Sequence, residues 1–89
     1  MSAIDFRKAE PFYEVRGNIV MLGLYGGKRI RCTVSAEVLK ERFGAKGDAA
    51  AELFEVFLPN QAPIEEAFSK KFAEMGRHVE AVVLRARDL

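Results

Sequence analysis

The stretch that decides the fold is Ile19-Val20-Met21-Leu22-Gly23-Leu24-Tyr25-Gly26-Gly27-Lys28-Arg29-Ile30-Arg31-Cys32-Thr33-Val34. Two aliphatic and β-branched runs flank Gly26-Gly27. Both glycines accept positive φ without a Cβ penalty, so the pair predicts a two-residue hairpin turn. Such a turn sets Tyr25 opposite Lys28. Counting outward pairs Gly23 with Ile30, Met21 with Cys32 and Ile19 with Val34. Directly opposed residues share a face of the sheet. One face then holds Ile19, Met21, Ile30, Cys32 and Val34 and is almost purely apolar, which makes it the expected core. The other sets Val20, Leu22 and Leu24 against Thr33, Arg31 and Arg29.

Upstream, Phe12–Arg16 alternates bulky and charged residues and reads as another strand. A three-residue loop at Arg16-Gly17-Asn18 places Tyr13 and Val15 on the core face, with Asn18 taking the left-handed conformation. A two-residue loop would put Glu14 in the core and is rejected. Phe12 then joins Val20, Leu22 and Leu24 on the second face.

Downstream the period changes from two to that of a helix. Ser35 is a good N-cap, with Glu37 in the first turn, an apolar stripe of Val38, Leu39 and Phe43, and Gly44 just past the end. Asp48 is positioned to cap a second helix carrying Ala50, Leu53, Phe54 and Phe57. Pro59 and Pro63 require a break or kink, because proline inside a helix costs about 3 kcal/mol. A third helix carries Ile64, Ala67, Phe68, Phe72 and Met75 and stops at Gly76. Val79–Arg85 reads as a last strand joining an edge. The expected fold is therefore α+β in two layers: an antiparallel sheet, a meander plus a C-terminal strand, with two or three helices on one face. Eighty-nine residues suit one domain spanning 1–89.

Composition narrows the function classes. Hydrophobic residues make up 49% and charged residues 30% of the chain, enough apolar content to build a core. The longest uncharged apolar run, Ile19–Tyr25, is far short of the roughly 20 residues of a membrane span, so no membrane association is expected. The single cysteine cannot form an internal disulfide. With charged residues from Asp5 to Glu10 breaking any signal-peptide core, the cytoplasm is the expected compartment. Residues 1–47 hold nine Lys/Arg against five Asp/Glu, and residues 48–89 hold five against eight, so a basic first half faces an acidic second half.

The run Ile30-Arg31-Cys32-Thr33-Val34-Ser35-Ala36-Glu37-Val38-Leu39, with Arg42-Phe43-Gly44 after it, resembles the signature of a small uncharacterised bacterial family, the YrdB-like domains. Phe6 sits where that family has Phe, Phe12 where it usually has Trp, and Glu14 in its acidic stretch. Ile64-Glu65-Glu66 and Lys70-Lys71 resemble its second helix, whereas Pro59 and Pro63 depart from it. The resemblance covers roughly residues 4–75. It implies an antiparallel sheet with helices on one face, and it implies no function.

No residue set carries a catalytic, cofactor or metal motif. Cys32 shares its face with Ile30 and Val34 and reads as a small buried hydrophobe rather than a reactive thiol. One Cys and one His make no metal ligand set, and His78 has no companion acid or nucleophile at a recognisable spacing. Gly23, Gly26 and Gly27 precede a strand, not the helix N-terminus that a phosphate cradle needs. The informative feature is the second sheet face. Phe12, Val20, Leu22, Leu24, Arg29 and Arg31 form the candidate interface, because exposed aliphatic patches on small proteins mark contact sites. Three occupants compete: a second copy or another protein, the chain's own N-terminus or tail, and nucleic acid. The leading expectation is a non-enzymatic domain without cofactors that works by protein–protein contact, beginning with itself. The alternative is a weak nucleic-acid-binding module using Lys28, Arg29, Arg31, Lys40 and Arg42.

Overall fold

The computed structural model describes residues 4–89. At its centre β2 (Asn18–Tyr25) and β3 (Lys28–Ser35) pair antiparallel, with Tyr25 opposite Lys28, Met21 opposite Cys32 and Ile19 opposite Val34. Gly26 and Gly27 sit at φ 56° and 81°. Both are left-handed, as a turn matching the twist of the flanking strands requires.

β1 (Phe12–Glu14) pairs antiparallel with β2, setting Phe12 opposite Val20, Tyr13 opposite Ile19 and Glu14 opposite Asn18. The connecting loop is Val15-Arg16-Gly17, one residue earlier than expected, and the Gly17 N–H returns to the Glu14 carbonyl at 2.9 Å. Gly17, not Asn18, takes the left-handed position at φ 83°, because glycine adopts it without steric cost. The register moves by two residues, so every face is kept: Tyr13 still points to the core and Phe12 away from it. Val15, expected inside, lies in the loop and is 95% exposed.

Ser35 caps α1 (Ala36–Phe43), its Oγ accepting from the Val38 N–H at 3.3 Å, and Gly44 ends the helix at φ 74°. α2 (Ala50–Phe57) is capped at Ala49 rather than Asp48: the Glu52 carboxylate accepts from the Ala49 N–H at 3.3 Å. Asp48 is drawn instead into an ion pair with Lys40. A single 3₁₀ turn, Leu58–Asn60, joins α2 to α3 (Gln61–Glu74). Pro59 lies in that turn and Pro63 in the first turn of α3, where a missing N–H breaks no helical bond. Leu53, Phe57, Ile64, Phe68 and Phe72 from these helices are fully buried. Met75 lies beyond the last packed turn and is 44% exposed.

β4 (Ala81–Leu84) joins the free edge of β3, giving the order β1-β2-β3-β4. It runs parallel to β3, with Cys32 opposite Val82 and Val34 opposite Leu84. The sheet is thus mixed, mostly antiparallel, rather than antiparallel throughout. The chain leaves β3, crosses one face as three helices and re-enters beside β3 in the same direction. A parallel neighbour needs a crossover of this kind.

The N-terminal segment completes the core. Asp5 and Leu24 exchange backbone hydrogen bonds of 2.8 and 2.9 Å, so residues 4–6 lie along the β2 edge beyond β1. Ile4 and Phe6 then point inward, and the Phe6 ring lies 6.0 Å from that of Phe68. They occupy the space left by Gly23, where an added Cβ would meet Ile4 Cγ2 at 2.3 Å and the Phe6 ring at 2.9 Å. Gly23→Ala should therefore destabilise the domain by about 1–3 kcal/mol through overpacking. Combining it with Ile4→Ala should cost less than the sum of the two single changes, since the smaller side chain restores room. Urea unfolding of the four-protein cycle measures this, and simple additivity would show that Ile4 and Gly23 do not share the space.

Candidate functional site

All three helices cover the Cys32 face, so among the described residues the other face of the sheet carries no helical layer. On it Phe12, Leu24 and Val83 are 39%, 40% and 54% exposed, and Leu22 is half-buried. Arg29 is exposed beside Leu24, its cross-strand partner. Five of the six expected interface residues, Phe12, Leu22, Leu24, Arg29 and Arg31, are therefore at least partly accessible on one face.

Val20 is the exception, being fully buried. Glu14 lies on the β1 side of β2 opposite Asn18, and Arg31 on the β3 side opposite Leu22. Their side chains form an ion pair that spans β2 at the level of Val20, with Phe12 and Thr33 as its direct neighbours on either side. A long guanidinium side chain covers apolar surface while keeping its charge at the boundary. Val20 is thus withdrawn from the interface, and Arg31 is partly committed.

The N-terminal segment shapes the rest of the face. After Phe6 the chain turns, and residues 7–10 form one wall of an open concavity whose floor is Phe12, Leu22 and Leu24 and whose far side is Arg29. Asp5 anchors this wall. Its carboxylate accepts from the Arg7 guanidinium at 3.0 and 2.8 Å and from the Arg7 N–H at 2.9 Å, and these bonds hold its pKa down to about 2. This segment therefore frames the apolar floor and leaves it open. Arg29 and Glu10, both on the concavity, form no ion pair among the described residues.

Sequence reasoning missed Val83 and the wall. Val83 was legible as a strand residue, but its face depends on the pairing of β4 with β3, which local pattern does not reveal. The wall depends on the single Asp5–Leu24 bridge, which has no short-range signal.

The two edges of the sheet are guarded. One edge is β1, only three residues long, and a strand that short offers little for another to pair with. At β4, the Lys71 ammonium donates to the Val83 carbonyl at 2.9 Å and to the Asp88 carboxylate at 2.7 Å. Burial pushes the Asp88 pKa up, but the Lys71 and Arg85 N–H hydrogen bonds, with the charges of Lys71 and Arg87, outweigh it and hold the group below its usual value. This α3 lysine takes up a β4 carbonyl and sets a charge against that edge, which opposes the addition of a further strand.

Of the five basic residues in the nucleic-acid reading, Arg31 pairs with Glu14, Lys40 with Asp48, and Arg42 donates to the Leu89 carbonyl at 2.6 Å. Lys40 and Arg42 also stand on α1, in the other layer. The five do not form one stripe. Among the described residues, no group of three or more His, Cys, Asp or Glu could hold a metal ion, and no helix is long and apolar enough to cross a membrane.

The family model described as a protein of unknown function (DUF1488) matches residues 4–84. The chain belongs to this family. The match runs from Ile4, which points inward, to the last residue of β4, and so includes both the framing segment and the whole sheet. No curated protein and no solved structure gives a match.

Cys32 lies on the opposite, core side and is fully buried. Its Sγ donates to the Ile30 carbonyl at 3.7 Å. Burial pushes the thiol pKa from 9.0 up to about 12, against a smaller lowering by the Gly23 backbone hydrogen bond. Between these values the unfolded chain releases a proton that the folded chain retains, so stability falls as pH rises from about 9. Cys32→Val should flatten that slope relative to the wild type, while Cys32→Ser, which buries a hydroxyl, should cost about 1–3 kcal/mol. Native protein should resist thiol reagents until unfolded. Fast labelling of native protein at neutral pH would show the thiol to be accessible.

Proposed function

We propose that this domain acts by protein–protein contact through its uncovered sheet face, and that its first partner is a second copy of itself. The observation that carries the reading is the exposure of Phe12, Leu24 and Val83 together on a face that no described helix covers. Phe12 and Val83 stand on the two outer strands either side of the Glu14–Arg31 pair and Leu24 lies further along β2, so a partner laid across the face meets all three. Each is already about half-buried, so burying the remainder is worth roughly 0.5–1.5 kcal/mol apiece before association entropy is subtracted.

A second copy fits for two further reasons. The guarded edges oppose strand addition, which leaves face-to-face packing as the route to association. The concavity also presents two cations, Lys8 and Arg29, and one anion, Glu10, none of them in an ion pair among the described residues. In a two-fold contact each surface meets its own copy, so Arg29 of one protomer can answer Glu10 of the other at the rim. On this reading the domain is a non-enzymatic homodimer in a reducing cytoplasm. The YrdB-like resemblance of the Cys32–Gly44 stretch adds a bacterial source to the proposal. The dispersal of the basic residues favours this reading over nucleic-acid binding.

Sedimentation velocity tests it. Wild type should form a dimer with a Kd on the order of micromolar or tighter. Leu22→Asp and Val83→Asp should each weaken it by at least about tenfold, a loss of about 1.4 kcal/mol, with circular dichroism unchanged. Val83 is the safer of the two positions, since its side chain is already the more exposed. A wild type that stays monomeric at high concentration, or charged variants that still dimerise fully, would overturn the proposal.

A further inference from the structure

The helical side carries a second concavity, of about 630 Å³, bounded by the C-terminal end of α1, successive turns of α3 and the chain after β4. This volume lies within the range of small-molecule sites. Its apolar lining comes from Phe43, Ala67, Ala73 and Leu89. Its charged lining is uneven. Arg42, Lys70, Arg77, Glu66 and Asp88 line it, Glu66 and Lys70 one turn apart on α3, but Asp88 is already bound by Lys71. Arg42 is likewise engaged by Leu89, which leaves Lys70 and Arg77 against one carboxylate, both in the half of the chain that is otherwise acidic.

Arg77 adds an independent observation. α3 ends with the Gly76 N–H on the Ala73 carbonyl and the Arg77 N–H on the Phe72 carbonyl, both at 3.1 Å. This is the closing pattern in which the residue after the glycine commonly packs an apolar side chain back on the helix. Here that residue is Arg77, and it stands at φ 62°, alone among the described non-glycine residues in the left-handed region. A non-glycine residue held there costs of order 1–3 kcal/mol. The chain accepts that cost at a position whose side chain lines the cavity. Arg42, at the opposite end, is fixed by its bond to the Leu89 carbonyl.

We infer that the α1–α3 cavity is a binding site for a small amphiphilic carboxylate, its apolar body lying on Phe43, Ala67, Ala73 and Leu89 and its carboxylate received by Arg77 and Lys70. The site lies on the helical layer, away from the open sheet face, and does not depend on the dimer.

Decanoate is the probe, titrated calorimetrically into the full chain below its micelle concentration, with decanol and acetate as controls for the two halves of the ligand. Decanoate should bind saturably and both controls at least about tenfold more weakly. The Lys70→Gln/Arg77→Gln variant should lose about tenfold or more in decanoate affinity. Arg77→Gly separates binding from folding: it removes both the cation and the backbone strain, so it should raise the unfolding midpoint while weakening decanoate. Absence of saturable binding would overturn the proposal. So would affinity unchanged in the double variant, decanol binding as tightly as decanoate, or an acidic peptide outcompeting decanoate. NMR shift changes confined to Phe12, Leu22 and Leu24 would also overturn it, by placing the ligand on the other face. Val83→Asp, which tests only the dimer, should leave decanoate binding intact.

Discussion

The two-residue turn at Gly26-Gly27 is the constraint on which the rest of the structure depends. It fixes the pairing of β2 with β3, and that pairing decides which side of every strand is inside. A slip of one residue would turn β3 over against β2, sending Ile30 and Cys32 to solvent and Arg31 into the core. Because the register holds, Ile19, Met21, Ile30, Cys32 and Val34 present one continuous apolar surface. The stripes of the three helices can bury only against that surface. β4 then adds Val82 and Leu84 to the same side.

A sheet covered on one face must settle what happens on the other, and this chain does so in three ways. It bridges Val20 with the Glu14–Arg31 pair, turning one exposed valine into a buried one. It brings its N-terminal segment along the β2 edge, so that residues 7–10 rise beside Leu22 and Leu24 without closing over them. It sets Lys71 of α3 against the β4 edge. The result is a face with the Glu14–Arg31 pair across its middle and Phe12, Leu24 and Val83 in water around it. A domain whose open face served only solvation would place polar side chains there. The aliphatic ones are what the proposed self-association uses.

Gly23 ties the two faces together. On the core side its missing side chain admits Ile4 and Phe6. By admitting them it docks the segment that frames the open side. The Asp5–Arg7 pair, with a carboxylate that stays ionised at any physiological pH, then holds the corner from which the wall rises. The packing of the interior and the shape of the exterior are in this way consequences of one another.

Sequence alone determined the features that short-range rules govern. The Gly26-Gly27 hairpin, the face of each β2 and β3 residue, the Ser35 cap, the Gly44 and Gly76 stops and the burial of Cys32 all depend on chemistry within a few residues. The exposure of Phe12, Leu22, Leu24 and Arg29 came from the same counting. The β1 register was off by two because a glycine and an asparagine compete for one left-handed position, and a two-residue shift leaves no trace in the face pattern. What only the tertiary structure decided involves partners distant in the chain. Examples are the parallel entry of β4, the placement of Val83 on the open face, the Glu14–Arg31 bridge over Val20 and the docking of residues 4–6 beside Gly23. Such contacts are set by how whole elements pack once the chain has crossed the sheet. No local period or propensity encodes which distant side chain will arrive.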